Sequence, residues 1–234
     1  MNATELEQNL ACVRAVMRDA AARAGRDPAA VRLVPAVKKV PPETLRLAYD
    51  AGLRAFGENR VQEARAKQPL LPANIEWHFI GGLQRNKVRD AVRLFALIHS
   101  VDSAELAREI DRRAREAGKI QQVLLEVNVS GESAKHGVAP ADVAALAETI
   151  FACDQLELTG LMTVAPFCAE AEKTRPFFRQ LRELRDDLEQ RAGATFPVLS
   201  MGMSHDYAVA IEEGATIVRV GTALFGARHY DEPA

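Results

Sequence analysis

The chain has 234 residues, 48% of them hydrophobic and 26% charged, with a net charge of −2. That length can bury a full core and fits one α/β barrel, while the near-neutral charge excludes a general attraction to nucleic acid or anionic membranes, so an anionic ligand must be held by placed groups. Cys12, Cys153 and Cys168 are odd in number and far apart, without disulfide or metal spacing. With no basic apolar leader and no run of membrane length, they point to a cytoplasmic protein.

Thr4 and Glu7 have the spacing of a capping box, and Leu6, Leu10, Val13 and Met17 recur on one helical face. This first helix is expected to end near Gly25, with Asp27-Pro28 breaking the chain. Residues 33–37 read as the first strand, followed by a helix from Pro42 to a stop at Gly52. Residues 54–57 form a second strand, with helix from Glu58 up to Pro69. Residues 75–80 form the third, ended by Gly81-Gly82, and a basic helix spans 84–94. Residues 96–101 form the fourth, after which Asp102 or Ser103 caps a helix that stops at Gly118. Residues 122–129 form the fifth, then come a loop over 130–137 and a helix with Val143, Leu146 and Ile150 on one face. Residues 156–162 form the sixth, and a long polar helix covers 170–191. Residues 196–200 form the seventh, Ser204 starts a short helix that stops at Gly214, and 216–220 form the eighth before a turn at Gly221-Thr222.

Eight apolar strands alternating with helices predict parallel βαβ units and an α/β fold closed as a (β/α)8 TIM barrel. The expectation is one domain over residues 1–234, with residues 1–30 an extra N-terminal helix packed on the barrel. An open doubly wound sheet is the competing architecture.

Chemistry in such a barrel belongs at the C-terminal ends of the strands. Lys38 and Lys39 follow the first strand, Gly57-Glu58-Asn59 the second, Asn128 the fifth and Met162-Thr163 the sixth. Gly202-Met203-Ser204 follow the seventh, and Arg219, Gly221 and Thr222 lie at the end of the eighth. A desolvated lysine amine loses its proton more readily and becomes a nucleophile toward carbonyls. The last two loops carry glycines, free N–H groups and the hydroxyls of Ser204 and Thr222, and they occupy the usual phosphate position of these barrels. A phosphate site opposite a strand-one lysine suits a phosphorylated aldehyde held as an imine. Pyridoxal phosphate fits, and so does a sugar-phosphate aldol substrate.

Ala36-Val-Lys-Lys39, Phe56-Gly-Glu-Asn59, Trp77-His-Phe-Ile-Gly81, Gly160-Leu-Met162, Leu199-Ser-Met-Gly-Met-Ser204 and Arg219-Val-Gly-Thr-Ala-Leu-Phe-Gly-Ala-Arg228 resemble the YggS/PROSC family of pyridoxal phosphate homeostasis proteins. The resemblance implies the fold of the alanine racemase N-terminal barrel without the racemase's second domain, and pyridoxal 5'-phosphate as cofactor. It assigns the Schiff base to Lys39, where Lys38 replaces the family's small polar residue. It assigns the phosphate to Ser204, Gly221 and Thr222 with backbone near Met203, the surroundings of the ring to Asn59 and Met162, and the pyridine nitrogen to Arg219. Lys135, in Ser133-Ala-Lys-His-Gly137, matches a family lysine suited to be a secondary acceptor or to lie on the surface. His78 is expected to be a packed structural histidine, and His99, His136 and His229 form no metal-like cluster.

A guanidinium stays protonated and can only donate to the pyridine nitrogen, which leaves the ring a weak electron sink. None of Tyr49, Tyr207 and Tyr230 is an obvious racemase base. The expected role is therefore storage or delivery of the cofactor to recipient apoenzymes by a monomer, without robust catalysis. A weak amino-acid racemase and a Schiff-base aldolase are the rivals.

Overall fold

A computed structural model describes residues 1–132 and 135–226. Eight parallel strands, β1 (Arg32–Pro35), β2 (Ala55–Glu58), β3 (Glu76–Phe79), β4 (Leu97–Val101), β5 (Gln121–Glu126), β6 (Leu156–Met162), β7 (Val198–Met203) and β8 (Ile217–Val220), pair in the order β1-β8-β7-β6-β5-β4-β3-β2. The two ends of that sheet meet: Ala36 bridges Gly57, and the Val37 N–H donates to the Gly57 carbonyl at 2.9 Å. The result is a nearly closed barrel, and the open doubly wound alternative is excluded.

Helices connect the strands: α2 (Pro42–Asp50), α3 (Val61–Lys67), α4 (Val88–Leu94), α5 (Ala104–Glu116), α6 (Val143–Phe151), α7 (Arg175–Ala192) and α8 (Tyr207–Glu212). A short α9 (Thr222–Phe225) follows β8. Among the described residues no helix is long and apolar enough to cross a membrane. Ahead of the barrel, α1 (Ala3–Arg23) buries Leu6, Leu10, Val13 and Met17, the face that its periodicity marks. It is tied down by Asn9 Nδ2 donating to the Leu224 carbonyl at 3.0 Å and by Arg23 pairing with Glu212 at 2.7 Å.

Several boundaries differ from the sequence reading. The cap of α1 is Asn2, whose side chain accepts from the Glu5 N–H at 2.9 Å, so Thr4 and Glu7 lie inside the helix and make no capping box. Lys38 and Lys39 sit in a turn beyond β1, so the alternation of a strand does not apply to them. Glu58 ends β2 and α3 begins only at Val61. The predicted helices over 84–94 and 170–191 each open with a 3-10 turn, Arg85–Lys87 and Ala171–Thr174. β7 runs on through Gly202 and Met203. Gly202 has φ +90°, and a Cβ there would lie 2.6 Å from the Ala210 Cβ, so glycine lets α8 close onto β7.

The barrel interior carries two kinds of side chain. Val34, Ala55, Leu97, Leu124, Met162 and Ile217 form an apolar cluster. Beside it runs a polar chain that starts at the N-terminal end of the barrel. Arg32 donates to the Glu76 carboxylate at 2.8 and 2.6 Å, and His78 Nε2 lies 2.8 Å from Glu76 Oε1. His78 Nδ1 meets His99 Nε2 at 3.0 Å, and His99 Nδ1 meets Ser200 Oγ at 2.9 Å. An ionised carboxylate only accepts, so His78 Nε2 donates to it. The remaining protons then fall into one direction: His99 Nε2–H donates to His78, and the Ser200 hydroxyl donates to His99. Burial, with His78 and Arg219 nearby, keeps His99 well below the usual imidazole range, in agreement with a neutral ring.

Two outcomes are expected. Gly160 pairs with Val198, and an added Cβ would lie 1.8 Å from the Val198 carbonyl oxygen. Gly160→Ala should therefore destabilise the fold by about 3 kcal/mol or more, read as a lowered urea midpoint. The His78 hydrogen bond, then the Arg32 guanidinium, hold the Glu76 carboxyl down from 4.5 to about 2. A depressed carboxyl stabilises the fold above its unfolded value and loses that contribution as pH falls through its folded one. Glu76 is half-exposed, so solvent screening limits the effect to about 1 kcal/mol. Wild type should exceed Glu76→Gln by that amount at neutral pH, and the gap should close between about pH 4.5 and pH 2.

Candidate functional site

The polar chain ends in Arg219. This side chain is 4% exposed, stands two residues after Ile217 and so shares its inward face. Nη1 donates to Ser200 Oγ at 2.7 Å and Nη2 to the Thr163 carbonyl at 2.8 Å. Burial lowers the guanidinium to about 10, against the pull of Glu126 and Asp206, and it stays charged at neutral pH. Since Ser200 Oγ accepts from Arg219 and gives its own proton to His99, the serine satisfies both neighbours at once.

Glu126, at the end of β5, is buried, and its carboxyl is pushed up to about 7 by burial and then by Asp102, while Arg219 pulls it down. Met162, at the end of β6, is 1% exposed in the apolar interior cluster. Asn59 directly follows β2. Its N–H donates to the Glu58 carboxylate at 2.9 Å, and its backbone packs so closely on Gly81 that a Cβ there would lie 2.5 Å from the Asn59 carbonyl oxygen.

The loops after β7 and β8 are joined by one side chain. Ser204 Oγ accepts from the Gly221 N–H at 3.1 Å and from the Ala223 N–H at 3.2 Å. It does not cap α8, as the sequence suggested. The cap position belongs to Asp206, whose carboxylate turns back to accept from the Met203 N–H at 2.7 Å. Gly221 is buried, whereas Thr222, at the start of α9, and Met203 are exposed. Two backbone N–H groups therefore converge on a single oxygen at the barrel mouth.

Lys39 lies across from this point. Lys38, Lys39 and Gly221 line one cavity of about 260 Å³, together with Thr44, Phe225 and Gly226. Lys39 has φ +59°, the only non-glycine residue with positive φ among the described residues. The lysine turn and the β8–α9 loop thus face one space, while Asn59 lies on a different, polar cavity with Arg60 and Lys87. Lys135 pairs with Glu132 at 2.9 Å. Ser133, Arg228, His229 and Tyr230 lie outside the described residues. His78 and His99 are fully buried, so His78 is a packed histidine as expected, with a role in the polar chain.

Ser200, Glu63 and Lys67 escaped the sequence reading. Ser200 sits in the middle of the motif that ends at Ser204, but a small hydroxyl in a strand carries no signal of its own. Glu63 accepts from the Lys39 N–H at 2.8 Å, and Lys67 donates to the Val37 carbonyl at 2.8 Å. A Glu and a Lys four apart on a helix read first as a solvated pair. Glu126 also escaped the sequence reading: the fifth strand ends at Glu126 and not at Val129, which turns a mid-strand carboxyl into a strand-end one.

The family model of the alanine racemase N-terminal domain matches residues 4–229. The pyridoxal phosphate homeostasis protein of Aquifex aeolicus is 48% identical across 98% of this chain and 100% of its own length. The protein of the same name from Pseudomonas aeruginosa is 46% identical across 98% of each. Among solved structures, PipY of Synechococcus elongatus with PLP bound superposes with a TM-score of 0.83 at 40% identity, over 94% of this chain and 100% of that one. The chain belongs to the alanine racemase N-terminal domain family and, within it, to the pyridoxal phosphate homeostasis proteins.

Proposed function

We propose that this chain binds pyridoxal 5'-phosphate and holds it reversibly on Lys39, as a cytoplasmic store from which recipient apoenzymes are supplied. The observation that carries the reading is the shared cavity of Lys39 and Gly221, with Ser204 bound to the Gly221 and Ala223 N–H groups beside it. An aldehyde and a phosphate are the two ends such a space suits. When bound, the cofactor supplies an aldehyde that condenses with an amine, releasing water and forming a C=N bond that hydrolysis reverses.

The residues fit this group. Ser204 accepts two N–H bonds and still has one O–H to donate, so it offers a phosphate oxygen a hydroxyl. The Gly221 and Ala223 N–H groups, which Ser204 Oγ occupies, become donors once a phosphate oxygen displaces it, and Thr222 adds a second hydroxyl. Arg219 offers only donors, and its charge persists despite burial. It suits the pyridine nitrogen, with Asn59 and Met162 the proposed neighbours of the ring.

Storage is favoured over racemisation by the two tyrosines among the described residues. Tyr49 donates to Asn74 at 2.9 Å on the outer face of the barrel. Tyr207 is buried in α8, and its phenol is pushed up by burial and then by Cys12 of α1. Neither is presented at the mouth as a base. A mouth left open to water would make electrostatic catalysis weak and exchange with incoming amines easy.

Borohydride treatment after incubation with pyridoxal phosphate should fix the cofactor to Lys39 as a secondary amine, located by peptide mapping. Lys39→Ala should abolish the adduct and Lys38→Ala should keep it. An adduct on Lys38, or none, would overturn the assignment. Capture of a sugar phosphate in its place would favour the aldolase, and sustained racemisation the racemase. Ser204→Ala should weaken pyridoxal phosphate about tenfold while leaving pyridoxal, which has no phosphate, unchanged. Equal losses for both ligands would remove Ser204 from the phosphate site.

A further inference from the structure

The turn that carries Lys39 is held from outside the barrel. A left-handed conformation is disfavoured for lysine, which has a Cβ and a long side chain. The turn keeps it because three hydrogen bonds fix the surrounding backbone. Val40 N–H donates to the Val37 carbonyl at 3.0 Å, closing the turn. Lys67 Nζ donates to the same carbonyl at 2.8 Å, and the Lys39 N–H donates to Glu63 Oε2 at 2.8 Å. The last two partners lie one turn apart on α3.

Lys67 is the hub of this arrangement. It is 7% exposed, and its ammonium reaches the Val37 carbonyl, the Glu58 carboxylate and, at 3.2 Å, Glu63 Oε2. An ammonium has three N–H groups, and all three find acceptors. Glu58 is fully buried at the end of β2, where burial raises its carboxyl against the pull of Lys67. Burial also acts to raise Glu63, but the Lys39 N–H and Lys67 outweigh it and hold that carboxyl below its ordinary value. Neutralising Lys67 requires only Glu58. The bond from Glu63 to the Lys39 backbone is a separate feature, reaching a residue 24 positions away.

We propose that Glu63 and Lys67 are positioning residues for Lys39: together they clamp the two peptide groups on either side of Lys38, Val37 C=O and Lys39 N–H, and so hold the Lys39 side chain toward the cavity it shares with Gly221. The inference rests on the reading of Lys39 as the imine-forming lysine. The clamp acts on the rate at which the amine meets the aldehyde, since a fixed backbone removes conformations from which the amine cannot reach it. Its hydrogen bonds go to the lysine turn and to Glu58, not to the phosphate loops, so affinity for the phosphate stands apart from it.

Glu63→Ala deletes the acceptor on the surface of α3 and leaves the Glu58–Lys67 pair in place. Glu63→Gln keeps a carbonyl oxygen for the Lys39 N–H. Glu63→Ala should slow borohydride-trappable imine formation on Lys39 about tenfold, and Glu63→Gln should restore it to within about twofold of wild type. Binding of pyridoxine 5'-phosphate, which lacks the aldehyde, should be the same in all three proteins. Residue-resolved hydrogen exchange on the unliganded wild type gives an independent reading: the Lys39 amide should be protected although its side chain is exposed. A wild-type rate in Glu63→Ala, a parallel loss of pyridoxine phosphate binding, or an unprotected Lys39 amide would each overturn the proposal. A wild type that forms no imine on Lys39 would instead overturn the functional reading, with the amide protection still reporting on the clamp.

Discussion

A permanently charged guanidinium lies inside the barrel at Arg219, and much of the interior is arranged around that fact. Removing a cation from water carries a penalty of several kcal/mol unless acceptors and opposite charge compensate. Ser200 and the Thr163 carbonyl supply the acceptors, and Glu126 with Asp206 supply the charge. Ser200 can accept only because its own proton has somewhere to go, which is His99. His99 in turn needs His78, and His78 needs Glu76, which Arg32 holds at the far end. One buried charge thus explains a line of polar residues that would otherwise interrupt an apolar core.

The site is assembled from pieces that are distant in sequence and that other elements hold. The lysine turn is fastened to α3, the two last loops are fastened to each other by Ser204, and Arg219 is fastened to β7 and to the residue that follows β6. In each case the hydrogen-bond partner lies in a different element from the group it holds. A barrel makes this possible, because neighbouring strands deliver their ends to one face within hydrogen-bonding reach.

The order of strands and helices was legible because apolar runs and glycine stops recur with the βα period. The strand ends then gave Lys39, Met162, Ser204, Arg219 and Gly221 as candidates from position alone. Caps were less legible. Asn2 and Asp206 took the places assigned to Thr4 and Ser204, since several residues near each start had suitable side chains and tertiary contacts chose among them. The preference for Lys39 over Lys38 came from the family pattern, and both lysines proved to line the same cavity. Contacts such as Glu63 to Lys39 depend on how α3 lies against the turn, which periodicity does not encode.

The Ser204 hydroxyl has a kinetic consequence. The N–H groups of Gly221 and Ala223 are already satisfied by a side chain belonging to the protein. An anion held there, as proposed, would displace a resident acceptor and on leaving would be replaced by it. Neither the filled nor the vacated loop then exposes unpaired backbone donors. Under the proposed reading, such self-capping would flatten the difference between the two conditions and favour release over retention. For the reversible store proposed above, that exchangeability would matter more than tight capture.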